Sequence, residues 1–131
     1  MQRIFTDMAT IDTNPTIQLV KRFNDALNER NVDGMMDLMH PLCIFENTYP
    51  PPDGTRFVGQ DAVRGFWLDF FAGSSQATIE IEEIAAWEDR CVMRWIYRWR
   101  NPQAESGHIR GIDLYTVADG LISQKLSYVK G

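Results

Sequence analysis

One carboxylate on a predicted aromatic strand face is the side chain best suited to chemistry in this sequence of 131 residues. Side chains of a strand alternate between its two sides, so Gly111, Asp113 and Tyr115 share one side of the segment His108–Ala118. A buried carboxyl group is unfavourable unless it is paired, hydrogen-bonded or protonated. Asp113 is therefore a candidate catalytic acid or base. The alternative is a structural carboxylate tied to a cation or to backbone amides.

The charge on that carboxyl group depends on Lys125. The pair Asp119-Gly120 is typical of tight hairpins, and closing the chain there places Lys125 across from Asp113. With an ammonium beside it, the carboxylate stays charged and is suited to accept a proton. Without one, burial favours the neutral acid, which can donate a hydrogen bond to a ligand oxygen. A register slip of one residue would send Lys125 outward.

The preceding segment, Cys91–Arg100, supplies an aromatic wall for Asp113. Alternation separates its side chains into an apolar side and a basic side. The apolar side carries Met93, Trp95, Tyr97 and Trp99. These rings could grip a flat ligand, together with Trp67 and Phe70 from a predicted helix, or they could be ordinary core.

The register of this strand follows from the hairpin that precedes it. Closing that hairpin at Asp89 puts Ile81 opposite Tyr97, Ile79 opposite Trp99 and Glu80 opposite Arg98. Apolar side chains then meet on one side of the sheet, and acid meets base on the other.

The basic side predicts a different use of charge. Its arginines are Arg94, Arg98, Arg100 and, from the next strand, Arg110. Because Glu80 and Glu82 lie close by, cross-strand ion pairs or a subunit contact are favoured over an anion-binding site. The apolar residues Ile96, Ile112 and Leu114 share this side, so we expect a homodimer that covers them.

Three helices are predicted to support these strands. The first begins at Asn14-Pro15, a good cap followed by a residue suited to the first helical turn. A short second helix is capped by Asp33 and ends at His40-Pro41. The third has a heavily aromatic face between Val63 and Phe71 and ends at Gly73-Ser74-Ser75.

Six strands accompany the helices, and the last four form a meander. They are Leu42–Asn47, Arg56–Val58, Ala77–Trp87, Cys91–Arg100, His108–Ala118 and Leu121–Val129. Helices followed by consecutive strands predict an α+β fold, in which a curved antiparallel sheet wraps the helices around one apolar pocket.

Other polar residues are weaker candidates. Asn47, at a strand end, could orient a ligand oxygen or cap the backbone. Tyr49 and the prolines at 50–52 form a stiff loop, either the rim of the pocket or plain surface. His40 suits a helix C-terminus, and His108 has outward parity, so neither is expected to be catalytic.

The overall composition limits the choice of partners. A net charge of −5 argues against nucleic acid, and no apolar run is long enough to span a membrane. Cys43 and Cys91 lie far apart without a CxxC motif, so buried free thiols are expected rather than a disulfide or a metal site. Met1–Thr13 has no signal-peptide pattern, so we expect a cytoplasmic protein.

These segments resemble the nuclear transport factor 2-like superfamily and, within it, the SnoaL-like group. The resemblance is carried by Asn31–Gly34, His40–Asn47, Gly59–Val63, Arg110–Tyr115 and Asp119–Ile122. It implies a cone-shaped, cystatin-like α+β barrel over residues 14–131, with residues 1–13 as an extension. It also implies a homodimer without a tightly held cofactor. Known members include ketosteroid isomerases, polyketide cyclases and non-catalytic domains.

The resemblance transfers to individual residues only in part. Ketosteroid isomerases use a tyrosine on the first helix, a base aspartate at the end of strand one and a protonated aspartate. Here Phe23 and Asn47 occupy the first two positions, and Asp113 matches the third. Epoxide hydrolases of the superfamily use an aspartate and an arginine–aspartate pair at positions that are Ser127, Trp95 and Tyr97 here.

The resulting functional hypothesis is an isomerase, cyclase or dehydratase of an apolar or aromatic carbonyl compound. Asp113 would be the acid/base, with Asn47 and Tyr97 positioning the ligand. The predicted ligand-binding residues are Phe23, Tyr49, Trp67, Met93, Trp95, Tyr97, Trp99, Tyr115, Lys125 and Ser127. Two alternatives stay open: a non-catalytic carrier or sensor of a hydrophobic metabolite, and a dimeric accessory subunit.

Overall fold

A computed structural model describes residues 13–73, 76–100 and 106–131. Its helices are α1 (Pro15–Asn28), α2 (Val32–Met36) and α3 (Gln60–Gly73). Its strands are β1 (Met39–Glu46), β2 (Arg56–Val58), β3 (Gln76–Trp87), β4 (Arg90–Arg100), β5 (Ser106–Ala118) and β6 (Leu121–Val129). The predicted three helices and six strands are confirmed over the described ranges. The predicted extension lies outside them, apart from Thr13.

The sheet is curved and mixed, with strand order β2-β1-β6-β5-β4-β3. Every neighbouring pair is antiparallel except β1 and β6, which run parallel because the chain returns to β1 only after the whole meander. The predicted α+β fold, with a curved sheet around three helices, is confirmed, and it differs from an antiparallel barrel in two details. One pair is parallel, and the sheet stays open between its edge strands β2 and β3.

Two hairpins set the register of the meander. At the β5–β6 turn, Asp119 and Gly120 both have positive φ, of 56° and 73°, as the predicted tight turn requires. The β3–β4 turn has two residues, and β3 itself has a bulge between Ile81 and Glu83, farther from the turn. Ile79 consequently faces Tyr97, and the predicted register is wrong by two residues. Because two is the side-chain period, the predicted division into two sides is confirmed.

The second helix is shorter than the sequence indicates. Its cap is Asn31, whose Oδ1 accepts a hydrogen bond from the Gly34 N–H at 3.0 Å. The Asp33 carboxylate instead forms an ion pair with Arg64 at 2.6 Å. The helix ends at Met36, and Met39 already belongs to β1, where the ladder with β6 is irregular and tolerates Pro41.

Helix α1 packs inside the curve of the sheet and is fixed to β3 by two asparagines. The Nδ2 groups of Asn24 and Asn28 both donate to the Ile79 carbonyl, at 3.0 and 2.9 Å. The Ile79 N–H donates back to Asn28 Oδ1 at 2.8 Å. These bonds fix the position of Ile79, which lines the cavity described below.

The convex side of the sheet carries an ion lattice, which the sequence predicts. Its pairs join Arg98 to Glu80, Arg94 to Glu83 and Arg110 to Glu82, each at 3.1 Å. Ile96 lies between two of these pairs and is buried within its own chain, so it needs no partner subunit to cover it. No helix in the described part of the chain is long and apolar enough to cross a membrane.

Candidate functional site

A cavity of about 170 Å³ lies between α3 and the concave side of the sheet. Aromatic and aliphatic side chains form most of its wall. The lining residues are Phe45, Asn47, Thr48, Phe66, Trp67, Phe70, Ile79, Trp95, Tyr97, Ile109, Asp113, Lys125 and Ser127. Ile109 and Tyr97 are partly exposed and mark the mouth, whereas Asp113 and Lys125 are buried and form the floor.

The floor of the cavity is an ion pair. Lys125 Nζ lies 3.2 Å from Asp113 Oδ2, and the two side chains are only 4% and 2% exposed. Tyr115 is the direct cross-strand partner of Lys125, so the ammonium reaches Asp113 diagonally. Of the two alternatives that the sequence leaves open, the structure supports the charged pair.

Several groups compensate the buried ammonium. Nζ donates to Ser127 Oγ at 3.1 Å and lies 4.7 Å from the centre of the Phe45 ring. The Trp67 ring centre is 5.6 Å away. Aromatic faces attract cations, most strongly where water is excluded, so this wall stabilises the charge on Lys125.

Tyr115 adds a hydrogen-bond donor beneath the pair. Its hydroxyl donates to Asp113 Oδ2 at 3.3 Å. The pKa of Tyr115 is raised well above its ordinary value, chiefly because the side chain is buried and also because Asp113 beside it is negatively charged. The phenol therefore stays neutral and remains a donor throughout the physiological pH range.

Three buried polar atoms of the cavity wall have no hydrogen-bond partner among the described residues. They are Asp113 Oδ1 and the indole Nε1 atoms of Trp67 and Trp95. Buried polar atoms in proteins almost always have a partner, so three orphans beside one cavity call for an explanation. One acceptor and two donors on residues that line the cavity are thus without a partner among the described residues.

Comparison with known proteins shows the family to which the chain belongs. A family model for the SnoaL-like domain matches residues 20–125. The chain belongs to this family. A comparison with proteins of curated function gave no match.

Solved structures agree with this assignment. An NTF2-like protein of unknown function from Mesorhizobium loti is 32% identical, with a TM-score of 0.75 over 91% of this chain and 93% of that one. A Mycobacterium tuberculosis protein in complex with estradiol-17β-hemisuccinate is 19% identical, with a TM-score of 0.71 over 87% and 92% of the two chains.

A third structure, from Catenulispora acidiphila, has a ketosteroid isomerase-like fold and contains trimethylamine. It is 13% identical, with a TM-score of 0.74 over 84% of this chain and 83% of that one. At such identities the likeness of the second and third structures shows the fold alone. Further matches carry ketosteroid isomerase or polyketide cyclase names.

The cavity of this SnoaL-like domain brings together seven of the predicted site residues. They are Asn47, Trp67, Trp95, Tyr97, Asp113, Lys125 and Ser127. The other five predicted ligand-binding residues do not line it. Phe23, Met93 and Tyr115 are wholly buried in the core, where the Phe23 ring on α1 is in edge contact with the Tyr115 ring.

Tyr49 and Trp99 also fall outside the cavity. Tyr49 is 73% exposed. Trp99 packs against the outer side of Tyr97, with ring centres 6.0 Å apart. Five further residues line the cavity and are not among the predicted site residues: Phe45, Thr48, Phe66, Ile79 and Ile109. The aromatic face of α3 was a usable signal for Phe66.

Asn47 acts chiefly as a cap in this SnoaL-like domain. Its Oδ1 accepts hydrogen bonds from the N–H groups of Thr55, at 2.8 Å, and Tyr49, at 3.2 Å. The structural alternative for this residue is therefore confirmed for the oxygen. Because the side chain also lines the cavity, the Nδ2 group is the part that a ligand could meet.

Proposed function

We propose that this SnoaL-like protein is a cofactor-independent enzyme that moves a proton next to a carbonyl group in a small, apolar or aromatic compound. Isomerisation, cyclisation and dehydration of ketones all share that step. The observation that carries the proposal is the buried pair of Asp113 and Lys125 at the floor of an otherwise apolar cavity. A structural ion pair alone would not require an aromatic opening above it.

The pair divides the work between its two members. Asp113 is held as an anion, and its Oδ1 is free to accept a proton from the carbon beside the carbonyl. An ammonium has three N–H donors, and Lys125 uses one for Asp113 and one for Ser127. The third can donate to the carbonyl oxygen and stabilise the negative charge that develops there.

The charge and size of the site restrict the substrate. The two floor charges cancel, so a neutral compound fits better than an ion. A cavity of about 150 Å³ accommodates benzene, so the space of about 170 Å³ suits one ring, and a larger body would extend through the mouth. The steroid ester bound by the M. tuberculosis relative supports an apolar ring ligand with oxygen substituents.

A general probe can test the proton transfer without knowledge of the natural substrate. In D2O, the protein should accelerate exchange of the acidic hydrogens of 2-tetralone, followed by NMR. Asp113→Asn should lower the rate by about a hundredfold or more, because the amide cannot accept the proton. Asp25→Asn, the same change on the exposed side of α1, is the matched control and should be silent. Exchange that survives Asp113→Asn would refute the role of this residue.

The main rival is a non-catalytic carrier, in which Asp113 only orients the ligand. In that case the wild-type protein binds 2-tetralone but does not accelerate its exchange. Binding without exchange therefore decides for the carrier, and exchange decides for the enzyme. The accessory-subunit alternative predicts neither binding nor exchange.

We also propose that the protein is a homodimer that uses the convex side of the sheet. Ile112 and Tyr128 face each other across β5 and β6 and are 39% and 56% exposed. A specific interface buries about 1,200 Å² or more in total. Light scattering should give the mass of two chains, and Ile112→Glu should give the mass of one. A wild-type mass of one chain at micromolar concentration would contradict the dimer.

A further inference from the structure

The three orphan atoms of the cavity wall define the ligand more narrowly than the aromatic lining does. We propose that the ligand carries a hydroxyl group on a flat ring, a phenol or an enol, which donates to Asp113 Oδ1 and accepts from an indole N–H of Trp95 or Trp67. This inference rests on the proposed function, because it assumes that the cavity is the ligand site.

Trp95 rests on β5 at Gly111, the neighbour of Asp113 on the concave side. Trp95 on β4 is paired with Gly111 on β5, and Asp113 is the next residue on the same side of β5. A Cβ atom at Gly111 would lie 2.4 Å from Trp95 Cζ2, so the indole rests directly on the glycine. Cζ2 is two bonds from Nε1, which puts the orphan N–H at the ring edge that approaches β5.

Trp67 reaches the same place from the opposite wall. It lies on α3, and its ring centre is 5.6 Å from Lys125 Nζ, which is itself 3.2 Å from Asp113 Oδ2. The Trp67 indole therefore borders the ion pair, and the Trp95 indole lines the same cavity. Neither side chain is exposed to bulk water, so no solvent partner is at hand for its N–H group.

A hydroxyl group is the simplest group that gives a partner both to the unpaired carboxylate oxygen and to an unpaired indole N–H. It has one donor for the carboxylate oxygen and lone pairs for an indole N–H. A ketone oxygen only accepts, so the ketone form of a substrate gives Asp113 Oδ1 no hydrogen bond, whereas its enol form does. An ammonium only donates, and it would add a second positive charge beside Lys125. A ring as the carrier of the hydroxyl follows from the aromatic lining and from the volume, which is close to one ring.

Three single-ring probes of nearly equal size separate these contributions. 4-Ethylphenol can donate and accept, 4-ethylanisole can only accept, and 4-ethyltoluene can do neither. Hydrogen bonds to charged groups are strong, so 4-ethylphenol should bind roughly tenfold to a hundredfold more tightly than the other two. Equal affinities for the three probes would overturn the inference.

The indole N–H signals report the contact directly. The sequence has four tryptophans, and in a ¹⁵N-labelled sample 4-ethylphenol should shift the indole signal of Trp95 or Trp67 but not those of Trp87 and Trp99. Trp95→Phe and Trp67→Phe keep an aromatic ring and remove the N–H. At least one of them should weaken 4-ethylphenol about threefold to tenfold more than it weakens 4-ethyltoluene. Trp99→Phe is the matched control, because Trp99 does not line the cavity.

The two proposals fail in different ways. If 2-tetralone exchanges but the phenol has no advantage, the inference falls and the proton-transfer function stands. If the phenol is preferred but no exchange occurs, the ligand class stands and the enzyme proposal falls. A phenol preference that neither indole substitution reduces, with no indole shift, would also overturn the inference. The tryptophan variants keep it testable even if Asp113→Asn fails to fold.

Discussion

The two sides of the sheet both carry oppositely charged side chains, but they use them differently. On the convex side the ion pairs are numerous and half exposed to water, such as Arg98 with Glu80. On the concave side the pair of Asp113 with Lys125 is almost completely buried. Water screens the first set and cannot reach the second. Loss of one member of an ion pair should therefore cost little stability on the convex side and much stability on the concave side.

The largest expected effect comes from breaking the buried pair. Asp113→Asn or Lys125→Met alone should lower the free energy of unfolding by about 3–5 kcal/mol, because each leaves one buried charge without its partner. The double variant should recover most of that loss. Urea denaturation of the three variants measures this. If either single variant loses no more stability than Arg98→Met, the two sides do not differ as we describe.

A second expectation concerns alkaline pH and the buried side. Burial raises the pKa of Cys91 from 9.0 to about 11. Above pH 9 the unfolded thiol loses its proton while the folded one keeps it, so stability falls as pH rises towards 11. The slope from this thiol is at most about 1.4 kcal/mol for each pH unit.

Thermal unfolding between pH 8 and 11 tests that expectation. Cys91→Ala should make the decline shallower. Substitution of Arg98 on the convex side should not change its slope, because arginine keeps its charge throughout this range. An identical slope in Cys91→Ala and the wild type would contradict the assignment to this thiol.

The smallest effect is expected on the convex side. Glu80→Gln should change the free energy of unfolding by less than about 1 kcal/mol, and added salt should reduce even that difference. Chemical denaturation at low and high ionic strength measures it. A loss as large as that of the buried-pair variants would mean that the lattice, with Ile96 beneath it, is part of the core.

The two sides of the sheet were predictable from the sequence, but the register between β3 and β4 was not. The period of two places Trp95 and Asp113 on the concave side whether or not the register is right. The predicted partner of Ile79 is wrong by two residues for two reasons. The two-residue turn between Trp87 and Arg90 shifts the pairing by one, and the bulge at Glu82, which has no signal in the composition of β3, shifts it by one more. Asp113 is predictable because a charge on an apolar face stands out in an alternating pattern. Lys125 is predictable because the Asp119-Gly120 hairpin places it across from Asp113.

The lining of the cavity was predictable only in part. Phe45 and Phe66 look like ordinary core residues in the sequence, and whether they meet the cavity depends on how α3 lies across β1. Phe23 and Tyr115 look like ligand-binding aromatics, but they are in edge-to-face contact with each other in the core. Periodicity gives the side of an element that is buried, and only packing decides which part of that side stays open.

The asparagines that join α1 to β3 also protect the protein against aggregation. β3 is an edge strand, and β4 covers only one of its two hydrogen-bonding edges. At Ile79 the N–H and the carbonyl are both taken by Asn24 and Asn28, so a foreign strand finds neither available. Edge strands are where sheets from different molecules add to one another and begin to aggregate. The helix thus closes that edge near the start of β3, and an Asn28→Ala protein would leave the Ile79 N–H available to a foreign strand.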